Sequence, residues 1–215
     1  MKKPLAPVKL LAVAVMFSMA ASPLFAQSAP EAVIKDVAAA FLASPAQMTY
    51  GKKSSGGKDV KWLEVDVKLD MKQEDKEGPK FGDELTVNYF ILLNNKASNE
   101  EGKATLLTGA ITHVDVHYDK DLHVGAFVSH QTLARFFGDK VPSNPKQALI
   151  NIGVTISDAS GEIARKQLNG DLSPDKTPWW ENSEKYNVVS DRVLSKDATP
   201  FAHLDWDYYL PLKAK

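Results

Sequence analysis

The clearest pattern in the chain is an alternation of period two between Val60 and Met71. Leu63, Val65, Val67, Leu69 and Met71 point one way, and Trp62, Glu64, Asp66, Lys68 and Asp70 point the other. Successive side chains of a strand leave opposite faces, so this segment is a half-buried strand with a charged outer face. Similar but weaker signals predict strands over Gln47 to Tyr50, Glu84 to Leu93, Ala104 to Tyr118, Leu122 to Val128, Gln147 to Ser157, Glu162 to Leu168 and Ala202 to Leu210. The stretch ahead of them reads differently. Behind Pro30 and Glu31, Val33, Ile34, Val37, Phe41 and Leu42 recur at helical spacing, which predicts one amphipathic helix over Ala29 to Ala43 that ends near Pro45. A short helix is predicted after Ser129, a capping residue, with Leu133, Phe136 and Phe137 on one side and Gly138 at its end. Thr177 and Pro178 have the chemistry to start another.

About eight short strands joined by turn-rich loops predict a mainly β fold. The expected architecture is an immunoglobulin-like antiparallel two-sheet sandwich with an N-terminal helix and one or two short inserted helices. Its segments are residues 1–26 as a cleavable signal peptide, 27–45 as the N-terminal helix or lead-in, and 46–215 as the sandwich. The strands' outer faces are charged where a transmembrane barrel would be lipophilic.

The signal rests on Lys2, Lys3 and Lys9 ahead of an apolar run from Leu10 to Ala21, then Pro23 and the small residue Ala26. That run is shorter than the roughly 20 residues a membrane helix needs. The precursor has 26 Lys and Arg against 27 Asp and Glu, and losing three lysines takes its net charge from -1 to -4. Such a balance argues against a nucleic-acid partner, which calls for a basic surface. No cysteine is present in the 215 residues. That excludes thiol catalysis, a cysteine-bound zinc, a structural disulfide and a lipid-carrying N-terminal cysteine. No glycine or glutamate occurs in the first 26 residues, so the cleavage site of a type IV pilin is missing too. The mature chain is expected to carry no transmembrane segment, and to be exported to the periplasm, the outer membrane or the cell surface.

Candidate chemistry is sparse. His113, Asp115 and His117 share parity on one predicted strand, and a tight connection pairing Tyr118 with Leu122 would set His117 across from His123. These four are weak candidates as ligands for a divalent transition metal; a solvated polar face is the expected reading, with no metal and no cofactor. No GxSxG, HExxH or glycine-rich phosphate loop occurs, and Glu64 and Asp66, interleaved with Lys68, read as charged solvent surface. The chain is therefore expected not to be an enzyme, and to have no catalytic residues. Trp179 and Trp180 stand out in an irregular stretch and are the candidate binding residues, for a protein partner or a glycan ring.

Several motifs carry a resemblance: Trp179-Trp180, Leu194-Ser195, Thr199-Pro200-Phe201-Ala202 and Asp207-Tyr208, with Trp62-Leu63-Glu64-Val65, Leu85 to Tyr89 and Leu107-Thr108-Gly109 earlier. Together they resemble the secreted, immunoglobulin-like pilus-associated proteins of mucin-degrading Verrucomicrobia, over nearly the whole mature chain. The resemblance implies a structural or accessory role near a type IV pilus-like assembly, with pilus or outer-membrane proteins as partners and homo-oligomers in some members. A glycan-binding adhesin using the loop tryptophans is the alternative.

Overall fold

The computed structural model describes residues 31–45, 60–73, 77–96, 102–138, 140–172, 177–205 and 207–214. The segment expected to be a signal peptide and the strand expected at Gln47 to Tyr50 lie outside the described residues. The elements run β1 (Glu31–Ala43), β2 (Lys61–Lys72), β3 (Phe81–Leu93), β4 (Thr105–His117), β5 (Leu122–Val128), α1 (His130–Phe137), α2 (Pro145–Ala148), β6 (Leu149–Asp158), β7 (Gly161–Gln167), β8 (Asn187–Ser190) and β9 (Val193–Leu194). One sheet has the order β1-β2-β5-β9 and the other β7-β6-β3-β4-β8. Both are antiparallel except that β8 pairs parallel to β4, so the second sheet is mixed. The two inner faces form one core, to which β2 gives Leu63, Val65, Val67, Leu69 and Met71 and β3 gives Leu85, Val87, Tyr89, Ile91 and Leu93. Full burial of each such side chain contributes about 1.5–3 kcal/mol. This is the β-sandwich expected from the alternation, with the inserted helices in place: Ser129 accepts from the Thr132 amide to cap α1.

Three expectations are corrected. The segment predicted as an N-terminal helix is β1, paired along its length with β2. A bulge explains the misleading spacing: Ile34 pairs with Leu69 and Asp36 with Lys68, so Lys35 is an extra residue that flips the pleat. The inward positions therefore run Ala32, Ile34, Val37, Ala39 and Phe41, a sequence of gaps that mimics a helix. Pairing with β2 outweighs the helix propensity of its alanines.

The connection between β4 and β5 is the second. It is not a hairpin, because β4 pairs with β3 and β5 with β2, in different sheets. The turn is held to the end of β2 instead. Asp119 accepts from the Met71 amide at 2.9 Å, Asp70 accepts from the Asp121 amide at 3.1 Å, and Lys68 pairs with Asp121 at 2.7 Å.

Third, Ala202 to Leu210 is not a strand. Its described part is a series of turns that lies over the outer face of the first sheet. Beyond it the tail runs between the sheets at their open side, where the Leu210 amide donates to His123 of β5 at 2.9 Å. On the other sheet the Val114 amide donates to Pro211 at 3.1 Å, and the Lys213 amide to Thr112 at 2.9 Å. No helix among the described residues is long and apolar enough to cross a membrane.

Candidate functional site

The structure separates the four histidine-strand candidates. Asp115 has φ 51, a left-handed conformation that interrupts the pleat of β4. His113 on one side of it and Val116 on the other therefore both turn inward, while His117 is exposed. His113 is fully buried, which corrects its expected place on a solvated face, and its Nδ1 lies 3.1 Å from the Leu210 carbonyl oxygen. Nδ1 must carry the proton there, since a carbonyl oxygen only accepts. Burial holds His113 below the ordinary histidine value, against the bonds to the Leu210 and Pro211 backbone, which favour protonation. His117 rests its ring on Phe81, at 4.2 Å between centroids. His123 belongs to the other sheet, opposite Lys68 rather than His117. No group of three His, Cys, Asp or Glu able to hold a metal ion occurs among the described residues.

The candidate binding tryptophans also have structural work. Trp179 and Trp180 open a short 3-10 helix, Trp179–Glu181, behind Pro178. Trp180 is buried and stacks on Phe90 at 5.2 Å and 11°, on the outer face of the second sheet. Trp179 is half-buried; it meets Trp180 and Tyr186 edge-on, and its Nε1 donates to Gln167 Oε1 at 2.9 Å. The two rings cover Leu92, Ala104 and Leu106, outward residues that would otherwise be wet. Trp180 is therefore withdrawn as a surface contact.

A polar cluster on the outer face of the first sheet went unread in the sequence. Here Glu64 and Asp66 of β2 and His123 of β5 meet Tyr208 and Tyr209 from the C-terminal segment. Tyr209 Oη donates to Glu64 at 2.8 Å, and Tyr208 Oη donates to Asp66 at 3.0 Å. Asp66 also faces His123 Nδ1 at 3.0 Å, and the His123 ring lies 4.2 Å from that of Tyr208. Desolvation raises Glu64 above the usual carboxylate range, outweighing the bond from Tyr209; the neighbouring charges of Asp66 and Asp205 push the same way and Lys196 opposes them. Desolvation and then the bond to Asp66 raise Tyr208 to about 12, and Tyr209 is raised likewise by burial and by Glu64.

Both phenol protons are thus held on oxygen and both carboxylates are occupied as acceptors. No nucleophile is set beside a free base in this cluster, and what the arrangement does chemically is anchor the C-terminal segment. Below it, Phe201 stacks on Phe127 at 5.5 Å and meets Trp62 edge-on at 5.9 Å. The sequence signal for this cover is Gly125, a glycine inside a strand, where close approach of another group is usual. A Cβ at that position would stand 2.7 Å from Tyr209 Cε1.

An open groove of about 250 Å³ lies between β4, β9 and the tail, lined by Ile111, Val193, Asp197, Leu212 and Lys213. It falls below the roughly 300–1,000 Å³ of ordinary ligand pockets.

Comparison with known proteins places the chain as follows. A protein-family model matches residues 24–215. A crystal structure of a protein from Akkermansia muciniphila is similar in fold, with a TM-score of 0.70 at 17% identity, over 87% of this chain and 94% of that one. No curated protein matches the sequence.

Proposed function

The chain belongs to the family whose model spans residues 24–215, and from that premise we propose that it is a non-enzymatic structural or accessory protein of the bacterial envelope. It is exported, associates with a pilus-like assembly at the outer membrane or cell surface, and acts through protein contacts. One observation carries this reading: most of the groups that promised chemistry are consumed in holding the fold. His113 is packed under the tail, Asp66 and His123 anchor Tyr208, Glu64 anchors Tyr209, and Trp180 roofs a sheet. What remains for function is the exterior of the sandwich. The likeness to the Akkermansia protein supports the sandwich itself.

The test is crosslinking with mass spectrometry in intact cells. It should recover envelope or pilus components, and recovery of cytoplasmic proteins alone would overturn the reading. Of the two residues proposed for glycan stacking, only Trp179 retains exposed surface, and its indole nitrogen is committed to Gln167. Retention on mucin glycans that disappears in Trp179→Ala, with folding intact, would favour an adhesin instead.

A further inference from the structure

Four strands terminate the two sheets: β1 and β9 in one, β7 and β8 in the other. Natural sheets protect such edges by shortness, charge or distortion, because unpaired backbone groups recruit further strands. β9 has two residues and β8 four, while β7 carries Glu162, Arg165 and Lys166. β1 has 13 residues, and among the described residues side-chain bonds to its free edge are found only in its first part. There the bulge at Lys35 distorts the edge, and Lys166 Nζ donates to the carbonyls of Ile34 and Lys35 at 3.4 and 2.6 Å. Val37 to Ala43 contains no charge, glycine or proline, and among the described residues its backbone pairs with β2 alone.

We infer that Val37 to Ala43 is an interface through which two copies of this chain pair antiparallel, β1 to β1, joining their β1-β2-β5-β9 sheets into one. This rests on the proposed role in protein contacts and names the surface and the partner. The segment is self-complementary. A two-fold axis at Ala40 sets Val37 opposite Ala43, Ala38 opposite Leu42 and Ala39 opposite Phe41, so no like charges oppose one another. The next position out sets Asp36 opposite the neutral Ser44, so no like charges meet at either end. Ala38, Ala40 and Ala43 are the exposed side chains, offering a foreign partner neither an aromatic nor a charged anchor, whereas a backbone ladder needs none.

The mature chain lacks cysteine, so Ala40→Cys introduces a single thiol on the axis. A short bis-maleimide should convert this variant to covalent dimer, and Glu162→Cys on β7 should stay monomeric. In sedimentation equilibrium the unmodified protein should dimerise, and Ala40→Glu, which opposes two carboxylates, should weaken the dimer by at least about tenfold, a loss of about 1.4 kcal/mol. Its melting temperature at low concentration should match that of the unmodified monomer. Unmodified protein that stays monomeric throughout, with no crosslinking of the Ala40→Cys variant, overturns the inference even where envelope partners are recovered in cells. Crosslinking of the introduced thiol in cells to a different envelope protein and never to a second copy also overturns it, while leaving the proposed function standing.

Discussion

Trp180 lies flat on the second sheet because residue 153 has no side chain. A Cβ on Gly153 would stand 2.2 Å from Trp180 Cε3 and 2.4 Å from Cζ3, closer than carbon atoms approach. Gly125 and Tyr209 repeat the relationship on the other sheet, at 2.7 Å. Each outer face therefore has a glycine hollow filled by an aromatic ring from the C-terminal half. In this way segments without a strand of their own become part of the fold, and Phe90, Leu92 and Leu106 are removed from water.

Gly153→Ala should therefore destabilise the protein, although alanine ordinarily suits a strand better than glycine. Overpacking of this kind costs about 1–3 kcal/mol. Trp180→Ala should cost more, about 3–5 kcal/mol, by emptying the same space. Urea titration should show a lower midpoint with an unchanged slope in both. The double variant should be less destabilised than the sum, because the alanine methyl has room once the indole is gone. Equal stability of Gly153→Ala and the unmodified protein would refute the account.

The sandwich was legible because its central strands are simple. Leu63 to Met71 alternate without interruption, and each of those inward positions is buried. Where the pleat is broken, the pattern misleads. Lys35 turns a strand into helix-like spacing, and Asp115 puts His113 inside and His117 outside although both have the parity of one face. Nor does alternation reveal which strands share a sheet. The tie of Asp121 to Asp70 and Lys68 spans about fifty positions of sequence, and it is what sends β5 to β2. The cluster of Glu64, Asp66, His123, Tyr208 and Tyr209 went unread for the same reason, since the residues that cover β2 come from the far end of the chain.

Glu64 makes stability fall as pH rises above the ordinary glutamate value of 4.5, because its folded value is raised, chiefly by desolvation. The folded protein then holds a proton that the unfolded chain has released, so its contribution is complete below 4.5 and is lost as pH rises through the folded value. Glu64→Gln keeps an acceptor for Tyr209 without the charge. The variant should gain stability relative to the unmodified protein as pH rises through that window, and the two should converge below it. Denaturant midpoints measured between pH 4 and 8 decide the matter, and a constant difference across that range would contradict it.

His113 acts in the opposite sense. Its folded value is depressed below 6.5 by burial, so unfolding in mild acid takes up a proton. The stability it contributes is complete above 6.5 and is lost as pH falls through the folded value. His113→Gln, which keeps a donor for the Leu210 carbonyl, should flatten the fall in stability below that pH. In the unmodified protein, NMR should show a His113 imidazole that stays neutral, with the proton on Nδ1, as pH falls below 6.5. Protonation of the ring at the ordinary histidine value of 6.5 would show that His113 is not sealed beneath the tail.

The tail itself closes the open side of the sandwich, since residues 210–213 bond to β5 through His123 and to β4 through Thr112 and Val114. Leu210, 7% exposed, is the buried apolar residue of that seam, with Leu212 packed partly buried nearby. Leu210→Ala should cost about 2–5 kcal/mol, and its effect should be concentrated locally. In hydrogen exchange the amides of Val114, Leu210 and Lys213 should lose protection first, ahead of those between β2 and β5, because opening the seam breaks their bonds without parting either sheet. Ending the chain after Asp207 should leave the backbone of β4 and β5 unpaired along the seam, and unpaired strand edges aggregate. Light scattering on warming should therefore rise at a lower temperature in the shortened chain. Loss of protection throughout the sandwich at one rate in Leu210→Ala would instead mean that the tail unfolds only with the whole domain.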